Sequence, residues 1–65
     1  MSDVSAERLR LAQSIRDACI AAAKRGYESA AISGLCEEGA LEAAISAIHM
    51  VDLEAAIRDA ALSRP

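Results

Sequence analysis

The amino-acid sequence predicts an all-α fold, a small orthogonal bundle of three to four helices. Its composition is 54% hydrophobic but only 2% aromatic, because alanine, the strongest helix former, supplies much of the apolar content. The string Leu-Glu-Ala-Ala-Ile occurs twice, at Leu41–Ile45 and again at Leu53–Ile57. No stretch shows the apolar–polar alternation that is typical of a strand. A chain of 65 residues is expected to form one helical domain over 1–65.

The repeated string predicts a break in the chain between its two copies. On one continuous helix, the twelve-residue offset would turn the second copy by about 120° from the first, so both could not face one core. Val51 and Asp52 supply the break, with Asp52 as N-cap and Glu54 in the first turn of the next helix. We therefore expect helices over about 36–50 and 53–62.

A long first helix is expected over about 6–25, after a disordered start at Met1–Val4. Ser5 is its predicted N-cap. Gly26 fits the left-handed C′ position that ends many helices, and Tyr27 can fold back as the apolar C″ residue.

Between the first helix and the repeat, the sequence leaves one alternative open. A short additional helix over 28–33 is compatible with the composition, and Ser33-Gly34 then gives a turn signal. Gly39 lies inside the next predicted helix, where it costs up to about 1 kcal/mol relative to alanine. We therefore expect Gly39 to allow close contact with another helix or with a partner.

The predicted core is built from a limited number of large side chains. Those candidates are Leu11, Ile15, Ile20, Ile32, Leu35, Leu41, Ile45, Ile48, Val51, Leu53 and Ile57. Helical periodicity assigns three inward stripes: Leu11, Ile15, Ala18, Cys19 and Ala22; Leu41, Ala44, Ile45, Ile48 and Val51; and Leu53, Ala56, Ile57 and Ala60.

The first helix is apolar over about half of its circumference, which is more than one neighbouring helix needs. A single core in so short a chain supplies roughly 3–5 kcal/mol, so further burial on another molecule is expected. This favours a non-catalytic interaction module, a subunit or regulator that packs on a protein partner or forms a homo-oligomer. The predicted partner-binding residues are Leu9, Ile20, Ala23, Tyr27, Leu35 and Leu62.

The charge and hydropathy of the sequence argue against a nucleic-acid-binding protein and against a membrane-spanning protein. The net charge is −3 and the pI is near 4.9, whereas binding to nucleic acid needs clustered Lys and Arg. If 41–57 were a helix-turn-helix reader, its second helix would present Glu54, Arg58 and Asp59, a poor match to phosphate. No run approaches the roughly 20 apolar residues of a membrane span, and no signal peptide is visible. We expect a cytoplasmic protein with reduced thiols.

Catalytic and metal-binding residues are not expected. Cys19, Cys36 and His49 lack the short ligand pair that marks zinc sites, so we expect no metal and no cofactor. Cys36 and His49 would lie about 19 Å apart on one continuous helix, too far apart for a nucleophile–base pair. A disulfide between Cys19 and Cys36 is geometrically compatible but not expected in a reducing compartment.

One segment resembles a known enzyme family. Ala21–Ala30, which reads Ala-Ala-Ala-Lys-Arg-Gly-Tyr-Glu-Ser-Ala, is similar to the end of the cofactor-side helix and the following turn in GCN5-related N-acetyltransferases. The resemblance covers about ten residues, and Gln13–Ile20 lacks the glycine-rich loop that holds the acetyl-CoA pyrophosphate in that family. The chain also resembles small uncharacterised helical bacterial proteins sometimes labelled acetyltransferases. The resemblance implies, as the alternative function, an acetyl-CoA-related enzyme fragment or accessory subunit that binds near Lys24–Gly26.

Overall fold

The computed structural model describes residues 2–62 and the side chains of 4–62; Met1 and residues 63–65 lie outside the described part. Within it the chain forms α1 (Ser2–Ile32), α2 (Glu37–His49) and α3 (Leu53–Leu62). α1 packs on both α2 and α3. The prediction of a small all-α bundle is confirmed. The described residues form three helices, the lower of the two numbers expected.

The length of α1 sets the shape of the molecule. Its 31 residues span about 46 Å, and the molecule measures 49 × 18 × 16 Å. Gly26 lies against α2, whereas Leu11 borders a groove with Ala60 and Ala61 near the end of α3. α2 and α3 therefore run back along α1 in turn.

The predicted bounds of the first helix are wrong at both ends. The helix begins at Ser2, so Ser5 is an internal residue and not its N-cap. It also continues through Gly26 and Tyr27 to Ile32, so neither residue caps it and 28–33 is not a separate helix. Among the described residues, the only glycine with a positive φ is Gly34, so the left-handed turn that ends the helix lies there and not at Gly26.

Gly34 ends α1 in the geometry that was expected at Gly26. Its φ is +95°, a conformation that favours glycine. The Leu35 N–H donates to the Ala30 carbonyl and the Gly34 N–H donates to the Ala31 carbonyl, each at 3.0 Å. These two hydrogen bonds form a Schellman motif, with Leu35 as its apolar C″ residue.

Gly26 has a packing role inside α1. A Cβ atom added there would lie 2.9 Å from the Ala43 carbonyl oxygen and 2.9 Å from the Ala47 Cβ. Only a residue without a side chain therefore allows the two helix backbones to approach this closely. The gain in packing offsets the weak helix propensity of glycine.

The break between α2 and α3 forms as the repeated string predicts. α2 ends at His49, where the Met50 N–H donates to the Ser46 carbonyl at 3.1 Å. The Asp52 Oδ1 accepts a hydrogen bond of 3.0 Å from the Ala55 N–H, so the prediction that Asp52 is an N-cap is confirmed. α2 and α3 lie within one residue of their predicted ranges.

Gly39 does not make the close contact with another helix of this chain that was one of the two roles expected of it. The atoms nearest to a Cβ added at Gly39 belong to Leu35, the closest being Cδ2 at 3.2 Å. Gly39 therefore lies beneath a side chain from the preceding turn and not against the backbone of another helix.

The core differs from the predicted one. Among the described side chains, the buried hydrophobic residues are Ala22, Ala30, Ala40 and Ala44. The predicted stripe on α1 does face inward, since its members are buried or half-buried. Small side chains let the helices approach closely, and this leaves most of the larger ones outside.

The inward stripes predicted for the two shorter helices are wrong for their large residues, with the exception of Val51. Of the eleven large core candidates, three are half-buried: Leu11, Ile15 and Val51. The remaining eight are exposed: Ile20, Ile32, Leu35, Leu41, Ile45, Ile48, Leu53 and Ile57. The physical reason is that α2 turns its alanine stripe, not its leucine and isoleucine stripe, toward α1.

Candidate interaction surface

A line of exposed apolar side chains runs along one side of α1. Leu9, Ile20 and Tyr27 are 60%, 46% and 36% exposed. Leu9 and Tyr27 are eighteen residues apart, which is five full helical turns and about 27 Å, so they point in the same direction. Ile20 lies between them, only about 20° from that direction.

The line continues from α1 onto α2. Ala23 and Tyr27 border a shallow depression together with Ala44. Tyr27 also borders a second depression together with Leu41 and the first residues of α2. The half-buried Ala23 and the exposed Tyr27 therefore join the two helices into one surface.

Three large residues of α2 extend this surface. Leu41, Ile45 and Ile48 are 55%, 49% and 40% exposed, and their spacing of four and three residues places them on one side of the helix. Because Leu41 borders Tyr27, this side adjoins the exposed line of α1. We call the combined surface the apolar face; it consists of Leu9, Ile20, Ala23, Tyr27, Leu41, Ile45 and Ile48.

Sequence reasoning missed the α2 part of the apolar face because it assigned Leu41, Ile45 and Ile48 to the core. A signal was present in the alanines. Ala40, Ala43, Ala44 and Ala47 form a second stripe on α2, at the spacing that suits close helix packing.

Two of the predicted partner-binding residues, Leu35 and Leu62, are not part of the apolar face. Leu35 is 49% exposed and packs over Gly39 at the turn between α1 and α2. Leu62 is 77% exposed at the end of α3. Leu35 is close to the apolar face, because its neighbour Cys36 borders the same depression as Tyr27. Among the described residues, no comparable contact places Leu62 at the apolar face.

Polar side chains border the apolar face at two points. Glu37 and Glu38 line the depression beside Tyr27 and Leu41. Arg16 is exposed and follows Leu9 by seven residues, so it lies on the same line of α1 between Leu9 and Ile20. Within the described part of the chain, none of these three charged residues forms a hydrogen bond or an ion pair through its side chain.

The residues with the most reactive side chains are not brought together. Cys19 is half-buried and Cys36 is exposed, and both are free thiols. Cys36 is the N-cap of α2 and His49 is its last residue, so about 20 Å separates them along the helix axis. Among the described residues, no group of three or more His, Cys, Asp or Glu side chains is placed to hold a metal ion.

A groove of about 470 Å³ lies between the first half of α1 and the end of α3. Its charged lining residues are Glu7, Arg8, Arg10 and Asp17. Two basic and two acidic side chains do not make the basic cluster that phosphate binding requires.

Comparison of the chain with protein-family models, with curated proteins and with solved structures finds no match. In the part of the chain that the structure describes, no helix has the length and apolar character needed to cross a bilayer. The candidate site is thus defined by the geometry of the apolar face.

Proposed function

We propose that this chain is a non-catalytic interaction module, a small helical subunit or regulator whose apolar face packs on a protein surface. One observation carries the proposal. Among the described side chains the buried hydrophobic residues are all alanines, whereas thirteen large hydrophobic residues are exposed. Six of the thirteen lie together on the apolar face, and contiguous apolar surface of this kind is typical of interaction sites.

The free energy gained by burying apolar side chains favours a partner that covers the apolar face. Full burial of one leucine or isoleucine side chain contributes about 1.5–3 kcal/mol. The apolar face carries Leu9, Ile20, Leu41, Ile45 and Ile48, each at least 40% exposed. Burying the exposed fractions of these five side chains yields free energy comparable to the roughly 3–5 kcal/mol that one small core supplies.

Charge supports a protein partner in preference to nucleic acid. Residues 26–57, which include all of α2, contain six acidic residues and no Lys or Arg. Such a segment repels a phosphate backbone. The proposed setting is the cytoplasm, where the free thiols of Cys19 and Cys36 stay reduced.

Site-specific photo-crosslinking in the native cell tests this function. A photoreactive aromatic residue is placed at Tyr27 or at Ile20 on the apolar face, and at Ile32 as the matched control. Ile32 is 86% exposed, but it points about 140° away from Tyr27 around α1. We expect protein adducts from positions 20 and 27 and none from position 32. Equal labelling at all three positions, or none at any, contradicts the proposal.

A calorimetric titration with acetyl-CoA addresses the alternative function. The interaction module predicts no heat of binding at a protein concentration of about 100 μM. Saturable heat that is lost in Lys24→Ala would favour the acetyl-CoA-related alternative instead.

A further inference from the structure

We infer that the molecule covering the apolar face is a second copy of this chain, packed antiparallel about a two-fold axis near Ile20 and Ala23. This inference rests on the proposed function and names its partner. Two such chains, placed face to face, would form a symmetric dimer in which each residue of the face contacts the symmetry-related patch.

The surface area of the chain matches what a dimer needs. Its accessible surface is 5147 Å² for a mass of 6.8 kDa, whereas a compact monomer of that mass exposes about 4,000 Å². Its radius of gyration is 14.7 Å, compared with about 11 Å for a compact domain of this length. The excess of about 1,100 Å² per chain is of the size that one copy would contribute to a homodimer interface of about 2,000 Å².

The distribution of charge makes the chain complementary to itself. Residues 1–25 carry five basic and three acidic side chains, a net charge of +2. Residues 26–57 carry six acidic side chains and no Lys or Arg, a net charge of −6. An antiparallel arrangement brings the basic half of α1 in one copy close to the acidic turn and α2 of the other.

The charged residues at the apolar face support this position of the axis. An axis midway between Ile20 and Ala23 pairs positions whose numbers add up to 43, so Arg16 of one copy faces Tyr27 of the other. Glu37 and Glu38 border Tyr27, so the guanidinium lies within reach of two carboxylates and an aromatic ring.

The same register also brings apolar residues of one copy close to apolar residues of the other. Leu9 of one copy comes opposite position 34 of the other, next to Leu35, and the isoleucines of α2 lie beside the centre. A parallel dimer would instead place Arg16 against Arg16, and Glu37 and Glu38 against their own copies. Such like-charge contacts are destabilising, so the antiparallel orientation is favoured.

Sedimentation equilibrium of the purified full chain tests the assembly. We expect a mass of twice 6.8 kDa at tens of micromolar. Ile20→Lys should weaken the dimer by about 100-fold or more, because symmetry introduces each change twice. Ile32→Lys is the matched control and should leave the dimer intact. Circular dichroism checks that both variants keep their helix content; a folded wild-type monomer at about 500 μM overturns the inference.

A distance measurement tests the orientation. Cys36 is exposed at the turn, and with Cys19 replaced by Ala it is the only site for a nitroxide spin label. In the antiparallel dimer the two labels lie at opposite ends, about 40 Å apart by helix rise. A separation below about 20 Å indicates parallel packing and overturns the proposed arrangement.

The crosslinking and sedimentation outcomes together separate this inference from the proposed function. Adducts at positions 20 and 27 with the mass of two copies support both. Adducts of larger mass, together with a monomer in sedimentation, overturn the second copy but leave the interaction module standing. A folded monomer that gives no adduct from the face overturns both.

Discussion

Gly26 of α1 lies so close to Ala43 of α2 that a methyl group on Gly26 would be 2.9 Å from the Ala43 carbonyl oxygen. The obstacle is backbone, which cannot move without shifting a helix. We predict that Gly26→Ala lowers the free energy of unfolding by about 1–3 kcal/mol, although alanine has the higher helix propensity. Urea denaturation measures the change.

Gly39→Ala is the matched control for this helix–helix contact. At Gly39 the nearest atom to an added methyl group is Leu35 Cδ2 at 3.2 Å, the far end of an exposed side chain that can move aside. The substitution is expected to be neutral or to stabilise by up to about 1 kcal/mol. Equal effects at Gly26 and Gly39 would contradict the assignment of Gly26 to close packing.

Gly34→Ala tests the turn that ends α1. The φ of +95° strains any residue that carries a Cβ, and no atom lies within 4 Å of one added there. The cost is therefore conformational, and we predict about 1–2 kcal/mol of destabilisation by urea denaturation. Gly34→Asn should cost less, because asparagine adopts left-handed conformations more readily. A neutral Gly34→Ala would show that the Schellman motif does not fix this turn.

Asp52→Ala removes the side-chain acceptor at the start of α3. The Ala55 N–H then loses its 3.0 Å hydrogen bond, and α3 should lose about 1 kcal/mol of stability. Amide hydrogen exchange at Ala55 and Ala56 measures this loss locally. Asp52→Ser retains a capping oxygen and serves as the control; faster exchange in both variants alike would argue against a capping role.

The parts of the fold that depend on local interactions, such as a helix break and an N-cap, could be predicted from the sequence. The rotation between the two Leu-Glu-Ala-Ala-Ile strings required a break, and Asp52 supplied the N-cap. The residue at which α1 ends could not be predicted in the same way. Arg25-Gly26-Tyr27 and Ser33-Gly34-Leu35 both have the composition of a helix C-terminus, and only the contact of Gly26 with Ala43 distinguishes them.

The inward side of α2 could not be predicted from hydrophobicity alone. Leu41, Ile45 and Ile48 form the more apolar stripe, yet the adjoining alanines face α1. A helix that presents alanines to one neighbour can present leucine and isoleucine to another, and the sequence of one chain does not reveal which neighbour is its own. The predicted residues Leu9, Ile20, Ala23 and Tyr27 lie on the candidate face and remain predictions as binding residues.

Arg16→Ala tests the charge pairing in the inferred dimer. Removal of the guanidinium should weaken antiparallel association about 3- to 10-fold, because Glu37 and Glu38 of the other copy lose a partner. The effect should shrink as salt rises from about 50 to 500 mM. Sedimentation at both salt concentrations measures it, with Arg25→Ala as the control away from the face. Tighter association of Arg16→Ala would point to a parallel dimer.

The dependence of thermal unfolding on protein concentration tests the central claim, that another copy of the chain covers the apolar face. If folding and assembly are coupled, mass action raises Tm with concentration. Between about 2 and 200 μM, the account predicts a rise of about 10 °C in Tm. A single cooperative transition whose Tm is the same at both concentrations would contradict it.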